Sequence, residues 1–219
     1  MIKAVLFGLD GTLVNSLYDL ADSGNYALEQ FGFTPHETEK YKYFVGDGMP
    51  KLIERILPEN KRDGETHKKV LDCFMAHYRK HYADKTLAYN GINELLGELE
   101  ALNLKLAVIS NKAQEMASEV VIKILGNKFS IICGKREGYP AKPDPTLTLK
   151  IISELSVSPD ECLFIGDSGM DMAVARNAGC IGIGVLWGFR QEEELKACGA
   201  DYIANKPNEI LDILKSINL

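Results

Sequence analysis

The chain has 219 residues, 46% of them hydrophobic, with a formal net charge of -6 and a pI near 5.3. That length suits one large or two small domains with a substantial core. The acidic balance, with no basic cluster, argues against a nucleic-acid partner, and no apolar stretch is long enough to span a bilayer. Cys73, Cys133, Cys162, Cys180 and Cys198 are odd in number, widely spaced and without a CxxC, the pattern of reduced thiols in a cytoplasmic protein.

Taken in order, Ile2 to Phe7 is an apolar run broken only by Lys3, the signature of a strand buried on both faces. It opens into the polar turn Asp10-Gly11-Thr12, and the N-terminus therefore reads as a strand rather than a signal peptide. Alternation along a strand sends positions 8 and 10 to the same side. A carboxylate at each would make a paired acid site, but position 8 is Gly8.

From Asn15 the pattern turns helical. Ser16 with Asp19 predicts a capping box, and Leu17, Leu20, Ala21, Ala27, Leu28 and Phe31 share one face up to Gly32. Pro35 predicts a second helical stretch, interrupted at Val45-Gly46-Asp47-Gly48 and followed by a short helix on Leu52, Ile53, Ile56 and Leu57. A longer helix is predicted from about Glu65 to Tyr82, and no strand is predicted between Ser16 and Tyr82. His77 and His81 stand four apart on it, a spacing that suits a metal clip. With no acidic or cysteine partner in the HExxH manner, they read as exposed polar residues.

Beyond Gly91 strands and helices alternate. Strands are predicted at Leu104–Ile109, Phe129–Cys133, Cys162–Ile165, Ile181–Val185 and Asp201–Ala204, with a final helix at Glu209–Ile217. Asp144 with Pro145 predicts an N-cap and first turn. This order implies a doubly wound parallel α/β core interrupted by an all-helical insertion. Ligands in such sheets sit beyond the carboxyl ends of the strands, where Asp10, Ser110 and Asp167 all stand.

Four segments carry a resemblance to the haloacid dehalogenase-like phosphatases. Leu6-Phe7-Gly8-Leu9-Asp10-Gly11-Thr12-Leu13 is similar to the family's hhhhDxDGTL, Ser110-Asn111 to its second motif, Lys142-Pro143-Asp144-Pro145 to its third, and Gly166-Asp167-Ser168-Gly169-Met170-Asp171 to its GDxxxD fourth. The resemblance covers nearly the whole chain. It implies a Rossmann-like core at 1–15 and 86–219 with a helical cap at 16–85. Within the superfamily, Phe44-Val45-Gly46-Asp47-Gly48 followed by Leu52-Ile53-Glu54-Arg55-Ile56-Leu57 resembles the cap of the phosphoglycolate phosphatase group, as Trp187-Gly188-Phe189-Arg190 resembles its ending. A hexose-phosphate mutase on the same scaffold stays open, and a true dehalogenase fits the motifs less well.

What the resemblance implies is a magnesium-dependent phosphomonoester hydrolase working through an aspartyl-phosphate on a small phosphorylated metabolite such as phosphoglycolate. Asp10 then serves as acid and base and Lys142 neutralises the transferring group. Gly11, Thr12, Ser110, Asn111 and Lys142 hold phosphate. Mg2+ falls to Asp10 through its main-chain carbonyl and to Asp167, with Asp171 in support. Gly46, Asp47, Gly48 and Arg55 set specificity from the cap, where Arg55 either meets a small carboxylate or holds the cap fold. A cytoplasmic monomer or homodimer without nucleic-acid or membrane partners is expected.

One position departs from the family: Gly8 stands where it has its nucleophile. An isolated change in an ordinary phosphatase, a silent protein binding a phospho-ligand or a partner, and slow direct attack by water all account for it. The joint presence of Asp10, Ser110, Lys142, Asp167 and Asp171 favours the first.

Overall fold

The computed structural model describes residues 1–218. The chain divides into two compact units, Met1–Val14 with Ala88–Leu219, and Asn15–Leu87. In the first, β1 (Ala4–Phe7) is buried at every residue and lies between two parallel neighbours, β4 (Lys105–Ala113) and β6 (Cys162–Gly166). The sheet continues to β5 (Ile131–Lys135) on one side and to β7 (Ile181–Val185) and β8 (Tyr202–Ala204) on the other, giving the order β5-β4-β1-β6-β7-β8. Every pairing is parallel.

This order follows from the connections. Parallel neighbours need crossovers, supplied here by α5 (Ile92–Ala101), α6 (Gln114–Leu125), α7 (Thr146–Glu154), α8 (Gly169–Ala178) and α9 (Glu192–Ala197), with α10 (Glu209–Asn218) after the last strand. The chain moves outward from β1 to β5, returns to β6, and moves outward again, so strand order reverses beside β1. That reversal opens a crevice at the strands' carboxyl ends. Side chains such as Leu6, Ile109, Ile151, Phe164 and Val174 share one buried cluster, each contributing about 1.5–3 kcal/mol by leaving water.

The second unit is helical: α1 (Leu17–Gln30), α2 (Tyr41–Phe44), α3 (Met49–Ile56) and α4 (Gly64–His81). Leu20, Leu28, Tyr41, Phe74 and Tyr78 are buried, and the Phe74 and Tyr78 rings stack with centroids 5.4 Å apart. The two chain crossings pair as two-residue strands, β2 (Val14–Asn15) and β3 (Leu87–Ala88). No helix among the described residues is long and apolar enough to cross a membrane.

Local signals were overridden at several points. Ser16 is the N-cap of α1, but its side chain makes no cap bond. Asp19 turns away from the helix start and accepts from Lys85 N, Thr86 N and the Thr86 hydroxyl, so a tertiary partner outcompetes the predicted box. Pro35 opens no helix; α2 starts only at Tyr41 after a 3-10 turn at Thr38–Lys40. Asp144 is not the N-cap of α7, a place taken by Pro145, and its carboxylate instead accepts from Thr146 N two residues on. Strand β5 begins at Ile131 rather than Phe129. Strand β4 continues through Ser110-Asn111-Lys112 to Ala113, its register with β5 shifting after Ile109.

Candidate active site

Chain geometry alone places the site. β1 keeps pairing past Phe7, Gly8 N donating to Ile165 O at 2.8 Å. The chain then folds into a tight turn in which Leu13 N and Val14 N donate to Leu9 O and Gly11 N to Val14 O. Gly11 takes a φ of +84° there, and a Cβ on it would lie 2.1 Å from Asp167 Oδ2. A Cβ on Gly188 would lie 2.3 Å from both Asp167 Cβ and Gly11 O. Only glycine lets these two loops close on the same carboxylate. Trp187 Nε1 donates to Thr12 O at 2.9 Å and fixes the third loop to the first.

Inside this knot each carboxylate has partners. Asp167, 3% exposed, accepts from the Thr12 hydroxyl at 2.8 Å and from Phe189 N at 3.0 Å. Burial first, and the charge of Asp171 second, push its pKa up to about 7. Asp171 occupies the third position of α8, where its Oδ2 accepts from Ser168 N and the Ser168 hydroxyl in a capping box. Its Oδ1 accepts from Lys142 Nζ at 2.5 Å. Lys142 Nζ also donates to Ile109 O at 2.9 Å and lies 5.5 Å from the Phe164 ring centre. Asn111 holds the loop that delivers this lysine: its Oδ1 accepts from Lys142 N at 2.9 Å. The Ser110 hydroxyl accepts from Lys112 N at 3.1 Å.

Lys112 is the residue that sequence reasoning missed. Its side chain is 1% exposed and its Nζ donates to both oxygens of Asp10, at 2.9 and 3.1 Å. Such a charge stays buried only with an opposite charge in reach. The available signal was its place, a lysine directly after Ser110-Asn111 on an apolar strand. Tyr89 was missed as well: burial, and then Asp167 and Asp10, raise its phenol above the ordinary value.

Thus Asp10, Asp167, Asp171, Lys142, Ser110, Asn111, Gly11 and Thr12 belong to one unit and to one end of its sheet. Gly8 stands among them. A Cβ there would lie 2.8 Å from Thr12 Oγ1 and 3.3 Å from Asp171 Oδ1, so the position faces the same polar cluster. Gly46, Asp47, Gly48 and Arg55 lie in the helical unit. Arg55 Nη2 pairs with Asp47 at 2.5 Å and Nη1 donates to Phe44 O at 3.0 Å, so its guanidinium braces that loop. Gly46 and Gly48 bend it with φ of +122° and +88°.

A hard cation suits the oxygen donors at the sheet's rim in kind, and the buried Asp167 carboxylate has most to gain from one. In number they fall short. No group of three or more histidine, cysteine or acidic side chains placed to hold a metal occurs among the described residues.

Parallel strands with carboxylates at the switch point, two of them paired with buried lysines, and a glycine-lined loop define the ligand-binding rim of a doubly wound α/β fold. Residues 5–185 match the model of the haloacid dehalogenase-like hydrolases, and the chain belongs to that family. It is 37% identical to a phosphoglycolate phosphatase of Chromobacterium violaceum over 98% of this chain and 97% of that protein. It is 34% identical to that of Neisseria meningitidis, covering 86% and 82%. A structure from Lactobacillus delbrueckii, provisionally assigned as a phosphoglycolate phosphatase, superposes with a TM-score of 0.92 at 30% identity, covering 97% and 98%. A β-phosphoglucomutase of Clostridium difficile, at 23% identity and a TM-score of 0.81, shares the fold. By family the chain is a phosphatase.

Proposed function

We propose that this chain is built to hydrolyse a small phosphomonoester, of the phosphoglycolate kind, with Mg2+, and that Gly8 reduces it to binding that ligand with negligible turnover. The substrate class rests on the relatives' activity. The single observation that carries the chemistry is the environment of position 8. A side chain there would start 3.3 Å from the Asp171 oxygen that Lys142 Nζ also bonds, so a carboxylate would stand beside a buried ammonium.

With a carboxylate at that position, attack on phosphorus forms an acyl phosphate while Asp10 gives its proton to the leaving oxygen. Asp10 then takes a proton from the water that hydrolyses the acyl phosphate. Lys142 and the Ser110 hydroxyl stabilise the phosphoryl oxygens. Asp167 and the Asp10 carbonyl would hold Mg2+, which supplies charge neutralisation. Lys112 must release Asp10 before it can act, because it occupies both carboxylate oxygens. Gly8 supplies none of the nucleophile's chemistry. The second reading is a protein built only to bind a phospho-ligand or a partner, in which a carboxylate at position 8 restores no turnover, and the self-satisfied pairs Lys112–Asp10 and Lys142–Asp171 favour it.

The test is Gly8→Asp. The new Cβ obliges the Thr12 hydroxyl to turn aside, 2.8 Å being too close. Magnesium-dependent hydrolysis of p-nitrophenyl phosphate should then rise by about 10,000-fold or more over the Gly8 protein. A folded but silent variant that still binds 2-phosphoglycolate by calorimetry would establish the binding reading, and loss of both would overturn the proposal.

A further inference from the structure

All five cysteines carry free thiols, and two of them are neighbours across the sheet. β6 and β7 run parallel with Leu163 opposite Ile181, Phe164 opposite Gly182 and Ile165 opposite Ile183. Carrying that register one residue toward the amino ends sets Cys162 opposite Cys180. Residues opposed in register point to one face of the sheet. Both sulfurs accordingly belong to the buried cluster that holds Leu6, Ile109 and Phe164. Cys133 belongs to it too, but on β5, three strand positions from β6 and so roughly 14 Å away.

The spacing suits a bond. Adjacent strands lie about 4.8 Å apart, within the span of about 4.4–6.8 Å between Cα atoms that a disulfide bridges. Cys162 is the first residue of β6. Cys180 follows Gly179, the C-cap of α8, and its N–H donates to Ala175 O at 2.9 Å, so the helix end fixes its place. The Cys162 thiol donates to Ser158 O at 3.3 Å, which leaves its sulfur lone pairs to accept from the Cys180 S–H. That contact with Cys180 lowers the Cys162 pKa, and the same contact, with burial second, raises that of Cys180. Cys162 is sealed, whereas Cys180 keeps a small edge on an open cavity of about 500 Å³ that it lines with Asp160, Arg176 and Asp201.

We propose that Cys162 and Cys180 form an oxidation site, a cross-strand dithiol that hydrogen peroxide converts to a disulfide stapling β6 to β7. Peroxide, little larger than water, reaches Cys162 from the Cys180 side. The Cys162 sulfur attacks one peroxide oxygen, the O–O bond breaks, and the thiol proton leaves with the departing oxygen as water. The Cys180 sulfur then attacks the sulfur of this sulfenic acid, the S–O bond breaks, and a second water carries away the Cys180 proton. The two thiols together lose two electrons and two protons, and the peroxide becomes two waters. The ring so closed runs from 162 to 180 and contains α8 with Asp167 and Asp171. The bond forms at the amino ends of the strands, opposite the carboxyl-end rim, so it restrains that stretch of chain without touching the carboxylates.

The full chain is treated with hydrogen peroxide, quenched with catalase, and its thiols are counted by alkylation after unfolding. Free thiols should fall from five to three. A peptide map should join Cys162 to Cys180 with the loss of two hydrogens, and dithiothreitol should restore every thiol. The oxidised chain should melt about 5 °C or more above the reduced one. Cys162→Ala and Cys180→Ala should each abolish the bridge and the rise, and Cys73→Ser and Cys198→Ser should leave both. If either core variant fails to fold, the map of the unaltered chain still decides. A full count of thiols after peroxide, a bridge through any other cysteine, sulfinic acid in place of the bridge, or an oxidised chain that melts with the reduced one would overturn the proposal.

Discussion

In the α/β unit Lys112 and Asp171 are each 3% exposed and each is ion-paired, whereas in the helical unit Lys68 and Asp72 make their pair with side chains 75% and 64% exposed. The helical pair is a residue-spacing effect, one turn apart on α4, as are Lys69–Glu65 there and Lys51–Glu54 on α3. Such pairs hold solvated charge in place and contribute little. The α/β pairs join distant positions, 10 to 112 and 142 to 171, and removing one partner leaves the other buried and alone. Buried charge on this scale is costly, and the sheet's carboxyl end is where the fold concentrates it. Asp19 is the helical unit's counterpart. It is buried against Lys85 and Thr86, and ties the first helix to the last residues of the same unit.

The sharpest way to break this contrast is Lys142→Ala. It strands Asp171 beside Asp167, and stability measured by urea unfolding should fall by about 3–5 kcal/mol. Lys68→Ala should leave the midpoint nearly unmoved. If both changed stability alike, burial would not be what separates the units.

Next in size is a pH effect at Asp167. Its folded pKa, about 7, lies above the ordinary 3.8. The folded state therefore holds the proton more tightly than the unfolded one, and the sign is opposite to that of a salt-bridged carboxylate. The contribution is full below pH 4, declines between 4 and 7, and is gone above 7. Without metal, stability relative to Asp167→Asn should fall by a few kcal/mol, in order of magnitude, from pH 4.5 to 8. A flat difference across that range would show that Asp167 is ionised throughout. Smaller again is Asp19→Ala, expected to cost about 2–3 kcal/mol by leaving Thr86 N and the Thr86 hydroxyl unsatisfied.

The sequence showed the strand ends that carry polar groups because an apolar run followed by Asp-Gly or Ser-Asn is a local pattern. It did not show which charges would meet. Asp19 looked like a capping residue because Ser16 stands three before it, and nothing nearby names Thr86 as the stronger partner. Lys112 looked like the exit from a strand, yet β4 runs on to Ala113 and turns that lysine toward a carboxylate 102 positions earlier. For Arg55 no local pattern names Asp47 and Phe44 O, eight and eleven positions earlier, as its partners. His81 has its partner Asp84 three residues on, but the Ser23 partner of His77 becomes apparent only once α1 lies against α4. Periodicity reports faces; it does not report which faces touch.

The smallest effect is the most discriminating about cause. Lys3 and Glu161 pair at 2.5 Å with side chains 58% and 22% exposed, but within the α/β unit. Lys3 first, and the Ser158 N–H second, hold the Glu161 carboxyl down to about 2. A depressed carboxylate gives stability that is present above the unfolded value near 4.5 and lost as pH falls toward 2. If burial rather than membership of a unit sets the contribution, this pair must behave like those of the helical unit. Glu161→Gln should lower the melting temperature by no more than about 2 °C at pH 6. The difference should shrink in high salt, decline below pH 4.5 and vanish toward pH 2, where the folded carboxylate is protonated as well. A shift as large as that of Lys142→Ala would place the cause in the amino ends of the central strands β1 and β6, where Lys3 N also donates to Glu161 O at 2.8 Å.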